Sequence, residues 1–508
     1  MTRFRHRIGR RVSGARRRLS ESPVAYRLAR GAFWSLLGGG FSRLFAVASG
    51  IVIARILGRE GFGEFGMVQS TMWMLGVLAG FGLGSTATRF IAQCRRTDPE
   101  RAGDVANLTL LVALASGALL AAACALSSRW LAAETLGRPE LAGLLQAGSL
   151  LLFYAALNNV MLGALAGFEA FRRVASINVW QGVSAPLVAI PLVIAYGVEG
   201  AVASLTVNSA LGMLLCAAAL RSHYRDHNMS AACRRLLWRQ WPVLWRFSLP
   251  TMLSGLMVAP VTWVTNLILV SRPGGYGDLG VFNAANQWRA VILLVPGLLA
   301  SVMLPVLSEA HGADRGAFTR AVALNLKGTW LFCLPLTVLV MVLNRPLSAV
   351  FGKGYSGSAP VMALLMLSCF FMIVNNTVGA ALAGAGRMWV SLAMNGAWGL
   401  SLLAGAWFLV PRMGALGLAL SYLIAYLLHT LWQMLYLEVK LAPSAVASQW
   451  RTILFSLLVL AASAGLALTR GPHFLGGALV LLSLLPALSE LMRRFPGAEG
   501  ISATGEVS

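Results

Sequence analysis

Stretches of about 20 apolar residues recur along the whole of this chain, each long enough to cross a ~30 Å hydrocarbon core as a helix. Fourteen can be placed: 31–53, 62–84, 104–126, 142–167, 174–196, 200–220, 244–270, 279–304, 321–344, 360–384, 390–410, 414–437, 452–469 and 475–491. A bilayer core supplies no water to the backbone, so such a chain must close its N–H and C=O groups within helices or a barrel. The ~10-residue alternating strands of a barrel do not occur. With 57% hydrophobic and 12% charged residues among 508, the fold class is an all-α polytopic membrane protein.

The chain also repeats itself. Phe153 to Leu220 matches Phe370 to Leu437 without a gap, an offset of 370 − 153 = 217. Asn158 and Asn159 fall on Asn375 and Asn376, Asn178 on Asn395, Gly182 on Gly399, Gly197 on Gly414, and Gly200 on Gly417. Leu and Ala matches carry little weight in so apolar a chain, whereas paired asparagines are scarce. A weaker echo lies upstream, where Gly61-Phe-Gly-Glu-Phe-Gly66 meets Gly275-Tyr-Gly-Asp-Leu-Gly280 and Gln69 meets Asn283. Repeats of this kind signal a duplicated architecture.

Charge sets the expected orientation. With the N-terminus inside, the inner segments hold 28 of the 41 Lys and Arg, the outer loops 9, and the spans the other four. Both termini are therefore expected in the cytoplasm. Spans four and ten lie six crossings apart, and an even shift preserves direction, so the halves are expected to be parallel repeats. The expected layout has a basic arm at 1–30, a first six-helix lobe at 31–220 and a cytoplasmic linker at 221–243. A second lobe at 244–437, two further helices within 438–491 and a cytoplasmic tail at 492–508 complete it. The two lobes would enclose a central cavity.

The net charge of +23 raises the question of nucleic acid. Cytoplasmic loops of membrane proteins gather Lys and Arg, and anionic lipid head groups attract them, so no nucleic acid is expected. The basic arm is not followed by a short apolar core with a cleavage site, as a signal peptide would be. None of the six cysteines forms a CxxC pair, so neither a disulfide nor a metal is expected, and no cofactor is implied.

Ionisable groups at membrane depth are costly and mark function. No Asp or Glu falls at mid-span; the deep charges are Arg43 and Arg289. A guanidinium stays charged and grips phosphate oxygens in a bidentate fork. Asn283, Asn286 and Gln287 precede Arg289 at helical spacing, and Gln69 is the repeat-mate of Asn283. Amides both donate and accept, which suits sugar hydroxyls. Asn158, Asn159, Asn375, Asn376, Asn178 and Asn395 complete the candidates; interhelical hydrogen bonding is the alternative for each. Glu64 and Asp278 are placed to cap the helices that follow them.

The stretch Ala54-Arg-Ile-Leu-Gly-Arg-Glu-Gly-Phe-Gly-Glu-Phe-Gly66 resembles the polysaccharide transporter family, the O-antigen-type lipid-linked oligosaccharide flippases of the MOP superfamily. Phe81-Gly-Leu-Gly84 followed by Arg89-Phe-Ile91, and Leu165-Ala-Gly167 with its basic turn, resemble it too. The resemblance spans roughly residues 30–440. It implies two six-helix bundles plus two helices, in a bacterial inner membrane. It also implies alternating access and an undecaprenyl-pyrophosphate-linked substrate. Membrane lipids and polysaccharide polymerase machinery are the candidate partners. Two other functions remain. A multidrug or cation exporter would need an intramembrane carboxylate, and a polyprenyl-linked glycan transferase or ligase would need an acid, base or metal ligand in an external loop.

Overall fold

The computed structural model describes residues 23–226 except 81, residues 257–293, 314–469 except 356, and 473–494, with 248, 252 and 307 alone between them. The N-terminal arm up to residue 22, the linker from residue 227, most of the first half of span seven, the end of span eight and the tail beyond 494 lie outside the described residues.

Every regular element among the described residues is helical. α1 (Pro23–Gly80) breaks at Gly58, where φ is 68° and ψ −178°. α2 (Leu83–Cys94), α3 (Pro99–Trp130), α4 (Leu141–Gly167) and α5 (Phe171–Asp226) follow, and α5 breaks at Gly197. Next come α6 (Ala259–Val270), α7 (Gly275–Gln287), the single turn α8 (Arg289–Ile292), α9 (Arg315–Val342) and α10 (Asn344–Ala349). α11 (Ser358–Gly384), α12 (Met388–Met413), α13 (Ala415–Tyr436), α14 (Trp450–Thr469) and α15 (His473–Arg494) close the chain. Nine helical stretches among the described residues are long and apolar enough to cross a membrane. α1 and α5 are among them, and each turns at its glycine into two arms.

Helix boundaries repeat with the sequence. α4 and α11 both run 27 residues, and Leu141 to Ser358 and Gly167 to Gly384 are each a shift of 217. α5 and α12 start at Phe171 and Met388, again 217 apart. In the preceding turn, Glu169 at φ 59° occupies the place of Gly386 at φ 70°. α3 and α9 each begin behind an aspartate cap. Asp98 accepts from the Arg101 N–H and Asp314 from that of Ala317, both at 3.0 Å. Such a cap satisfies one of the helix's unpaired donors and is worth about 1 kcal/mol.

The residues form two compact units, Met1–Ser49 with Val68–Leu256, and Gly50–Met67 with Met257–Ser508. The middle of α1 therefore belongs with the second half of the chain. In the first unit, a Cβ on Gly163 would stand 2.2 Å from the Gly84 carbonyl oxygen, and one on Gly38 2.7 Å from Ala175 Cα. Lipid is as apolar as leucine, so helices in a membrane gain by close backbone approach at small residues rather than by hiding apolar ones. The Thr88 hydroxyl crosses from α2 to the Gly163 carbonyl at 2.9 Å. In the second unit α11 is central, packed by α7, α9, α13 and α14.

The middle of α1 meets α7 backbone to backbone. A Cβ on Gly63 would lie 1.8 Å from the Tyr276 oxygen, and one on Gly280 1.8 Å from the Arg59 oxygen. Tyr355 donates to the Ala54 carbonyl at 3.1 Å, and the Arg55 Nε donates to that of Val350. Neither expected acidic cap forms a cap. Glu64 sits inside α1, and Asp278 pairs with Arg272 at 3.5 Å while Gly274 opens α7 in the left-handed conformation.

Candidate substrate site

Arg289 begins the short turn α8, where the helix carrying Asn283, Asn286 and Gln287 has just ended. Its Nη1 donates to Asn286 Oδ1 at 2.9 Å and its Nη2 to Met372 Sδ at 3.0 Å. The guanidinium carbon stands 5.9 Å from the centre of the Tyr422 ring. Its Nε is buried and makes no hydrogen bond. No carboxylate is among these contacts; the Cys369 thiol and the Tyr426 hydroxyl also face the guanidinium, so the positive charge meets an amide, two sulfur groups, a phenol and an aromatic face. A cation over a ring gains from the ring's quadrupole, but far less than from an opposite charge.

The four polar residues of this segment divide between two surroundings. Asn286 and Arg289 face α11 and α13. Asn283 and Gln287 face the middle of α1: Cβ atoms on Gly66 and Gly50 would come within 1.9 Å and 2.6 Å of their amide nitrogens.

Beside Arg289, α13 presents Tyr422 and Tyr426, and further along the same helix come His429 and Gln433, all buried and spaced by four, three and four residues. That spacing puts them on one helical face. Trp398 of α12 lies 5.3 Å from the Tyr426 ring, and Phe282 of α7 lies 5.7 Å from that of Tyr422. His429 and Gln433 meet at 3.0 Å. His429 Nδ1, Gln433 Oε1, Asn375 Oδ1 and Trp398 Nε1 are buried without partners. Buried polar atoms of native proteins are nearly always satisfied, so four orphans spread over α11, α12 and α13 of the second unit mark a concentration of recognition capacity.

The paired asparagines split identically in both halves. Asn158 accepts from the Cys216 thiol of α5 at 3.0 Å, and Asn375 donates to the Tyr426 carbonyl of α13 at 3.4 Å. Asn159 and Asn376 are exposed. The first of each pair therefore ties helices together, and the second is available. In the first unit Arg43 and Gln69 are exposed on α1 and Asn178 is half-buried on α5; Asn395, on α12 of the second unit, is also half-buried.

A family model described as "Polysaccharide biosynthesis protein" matches residues 28–311, more than half of the chain. The chain belongs to this family. The chain is 25% identical over 418 residues to the EPS I polysaccharide export inner membrane protein EpsE of Ralstonia solanacearum, covering 78% of this chain and 90% of the relative. Two solved structures share its fold. The lipid II flippase MurJ in an inward closed conformation superposes with a TM-score of 0.68 over 92% of this chain and all of the other, at 18% identity. An inward-facing MATE family transporter of the MOP superfamily gives a TM-score of 0.66 over 78% of this chain and 94% of the other, at 20% identity.

The α13 face was missed in the sequence. Its residues read as the apolar stripe of a buried helix, because tyrosine and histidine count towards either environment. The signal was the spacing: Tyr422, Tyr426, His429 and Gln433 fall on one line of a helix whose other faces carry Leu, Ile and Ala.

Proposed function

We propose that this protein is a flippase for a polyprenyl-pyrophosphate-linked oligosaccharide, carrying an O-antigen or exopolysaccharide repeat unit across the bacterial inner membrane by alternating access. The observation that carries this reading is the half-buried guanidinium of Arg289, whose Nε is buried without a hydrogen bond and which has no carboxylate partner among the described residues. A buried charge without an opposite partner is costly. An anionic ligand supplies the missing charge. Arg43, exposed on α1, is the candidate cation from the other half of the chain for the same anionic head group. Tyr422, Tyr426 and Trp398 offer flat faces to sugar rings, and Asn286, Asn376 and Asn159 offer amides to their hydroxyls.

The reading takes fourteen crossings, cytoplasmic termini, and two parallel six-helix lobes at 31–220 and 244–437. Transport rather than covalent chemistry is the activity. A cation exporter would place a carboxylate where Arg289 stands.

The test is a deletion strain. It should accumulate a polyprenyl-linked glycan on the cytoplasmic side, and the intact gene should clear it. Arg289→Ala at equal membrane abundance should not clear it. A deletion strain with a normal pool of polyprenyl-linked glycans would overturn the function.

A further inference from the structure

A guanidinium presents two parallel N–H bonds along the edge formed by Nε and Nη2, a fork that matches two oxygens of a phosphate. In Arg289 this edge is nearly unused. Its Nε is buried without a hydrogen bond, and its Nη2 donates to Met372 Sδ at 3.0 Å. The third nitrogen, Nη1, is the one that Asn286 Oδ1 holds at 2.9 Å. Asn286, three residues earlier, therefore sets the direction of the side chain and leaves the fork to a thioether.

The fork has a closed side and an accessible side. Cys369, Tyr422 and Tyr426, which face the guanidinium from α11 and α13, are buried. Met372, Asn286 and Arg289 itself are half-buried. A ligand thus reaches the guanidinium past Met372 and Asn286 rather than through the rings of α13.

The choice of a thioether at this place has a physical reason. A sulfide sulfur is a weak acceptor, and a methionine side chain turns about three bonds. A carboxylate here would hold the guanidinium firmly, and an incoming anion would have to break that pair. A wholly apolar side chain would leave both N–H groups with nothing. The thioether lies between the two. It fills the edge without a ligand, and it yields readily because a charge-assisted bond to a phosphate oxygen is stronger. The first half of the chain carries neither partner. The repeat-mate of Met372 is Ala155, since 372 − 155 = 217, and the upstream echo places Leu75 opposite Arg289, since 289 − 75 = 214. The thioether occurs in the half that has the guanidinium.

We propose that Met372 is a positioning residue for the anion. Its sulfur occupies the Nε–Nη2 fork of Arg289 while the carrier is empty and gives the fork up to two oxygens of the substrate's pyrophosphate. This rests on the flippase reading and adds to it the residue that keeps the cation both packed and available. Affinity for the head group is then a difference between two partners of one fork. A stronger resident acceptor weakens the ligand, and a missing one strengthens it.

The full-length protein, purified in detergent, is titrated with farnesyl diphosphate, and with farnesol as the same chain lacking the anion, by microscale thermophoresis. Met372→Leu keeps the volume and removes the acceptor, so it should bind the diphosphate about threefold more tightly. Met372→Gln sets an amide oxygen at the fork and should bind it about tenfold more weakly. Farnesol should bind all three proteins alike. A residue that only packs would move both variants in one direction, and farnesol with them. Either variant failing its direction overturns the role of Met372 and leaves the flippase reading standing. Wild-type protein that binds the diphosphate no better than farnesol overturns the anion at Arg289, and the role of Met372 with it. If Met372→Gln is not monodisperse, Met372→Leu against wild type decides alone.

Discussion

Gly197 and Gly414, 217 residues apart, hold the same backbone conformation, φ 57° with ψ −129° and −130°. L-residues rarely enter this region, and a Cβ there costs on the order of 1–3 kcal/mol. The surroundings differ. A Cβ on Gly197 meets nothing within 4 Å, whereas one on Gly414 would lie 2.1 Å from Asp278 Oδ2 and 2.4 Å from Arg272 Nη1. Gly414→Ala should therefore destabilise more than Gly197→Ala, since it adds the disruption of an ion pair to the same strain. Thermal unfolding of both variants in detergent checks the order; equal losses would show that strain alone counts.

Glu169 is a non-glycine residue at positive φ whose repeat-mate is Gly386. It is kept there by an ion pair with Arg95. Glu169→Ala loses the pair and keeps the strain, while Glu169→Gly loses the pair and the strain together. The glycine variant should be the more stable of the two by about 1 kcal/mol, read from their melting curves.

Gly66 and Asn283 share one space. Gly66→Ala alone should reduce stability and transport, because its Cβ collides with the Asn283 amide. Asn283→Ala removes that amide, so the double variant should recover most of the loss. Overpacking of this type costs about 1–3 kcal/mol. Additive losses in the double-mutant cycle would contradict the contact.

Replacing Arg43 or Arg289 by Ala should abolish or strongly reduce glycan export at unchanged membrane abundance. Lysine should rescue only in part, because a point charge lacks the two-pronged fork. Normal export by a well-expressed Arg43→Ala, Arg289→Ala variant would remove both from the mechanism.

A reporter active only in the periplasm should give signal when fused after Leu136 and none after Arg225. The reverse pattern would overturn the orientation.

The duplication was legible because its anchors are scarce residues. Asn158, Asn159 and their mates stand out in an apolar chain, and the glycines at 197 and 414 are demanded by backbone geometry that no other residue meets cheaply. The breaks at Gly58 and Gly197 fell between expected spans for the same reason. The site was less legible. Sequence spacing grouped Asn283, Asn286, Gln287 and Arg289, but a helix surface is wide, and Gly66 and Gly50 draw Asn283 and Gln287 towards α1. Nothing local to Asn158 distinguishes it from Asn159; only Cys216, 58 residues later, does.

Gly50–Met67 belongs with residues made much later. Gly275 follows Gly66 by 209 residues. At the ribosome's ~5–20 residues per second, the middle of α1 waits about 10–40 s for α7 to exist. Throughout that interval its bare glycine face, Gly63 and Gly66, has no native neighbour to approach. The second unit is thus finished only after nearly the whole chain has been made, and a fragment beginning at residue 257 would lack one of its own walls. Supplying residues 1–226 as a separate polypeptide should restore that wall, which makes the order of synthesis, as much as the order of the sequence, a part of how this molecule is assembled.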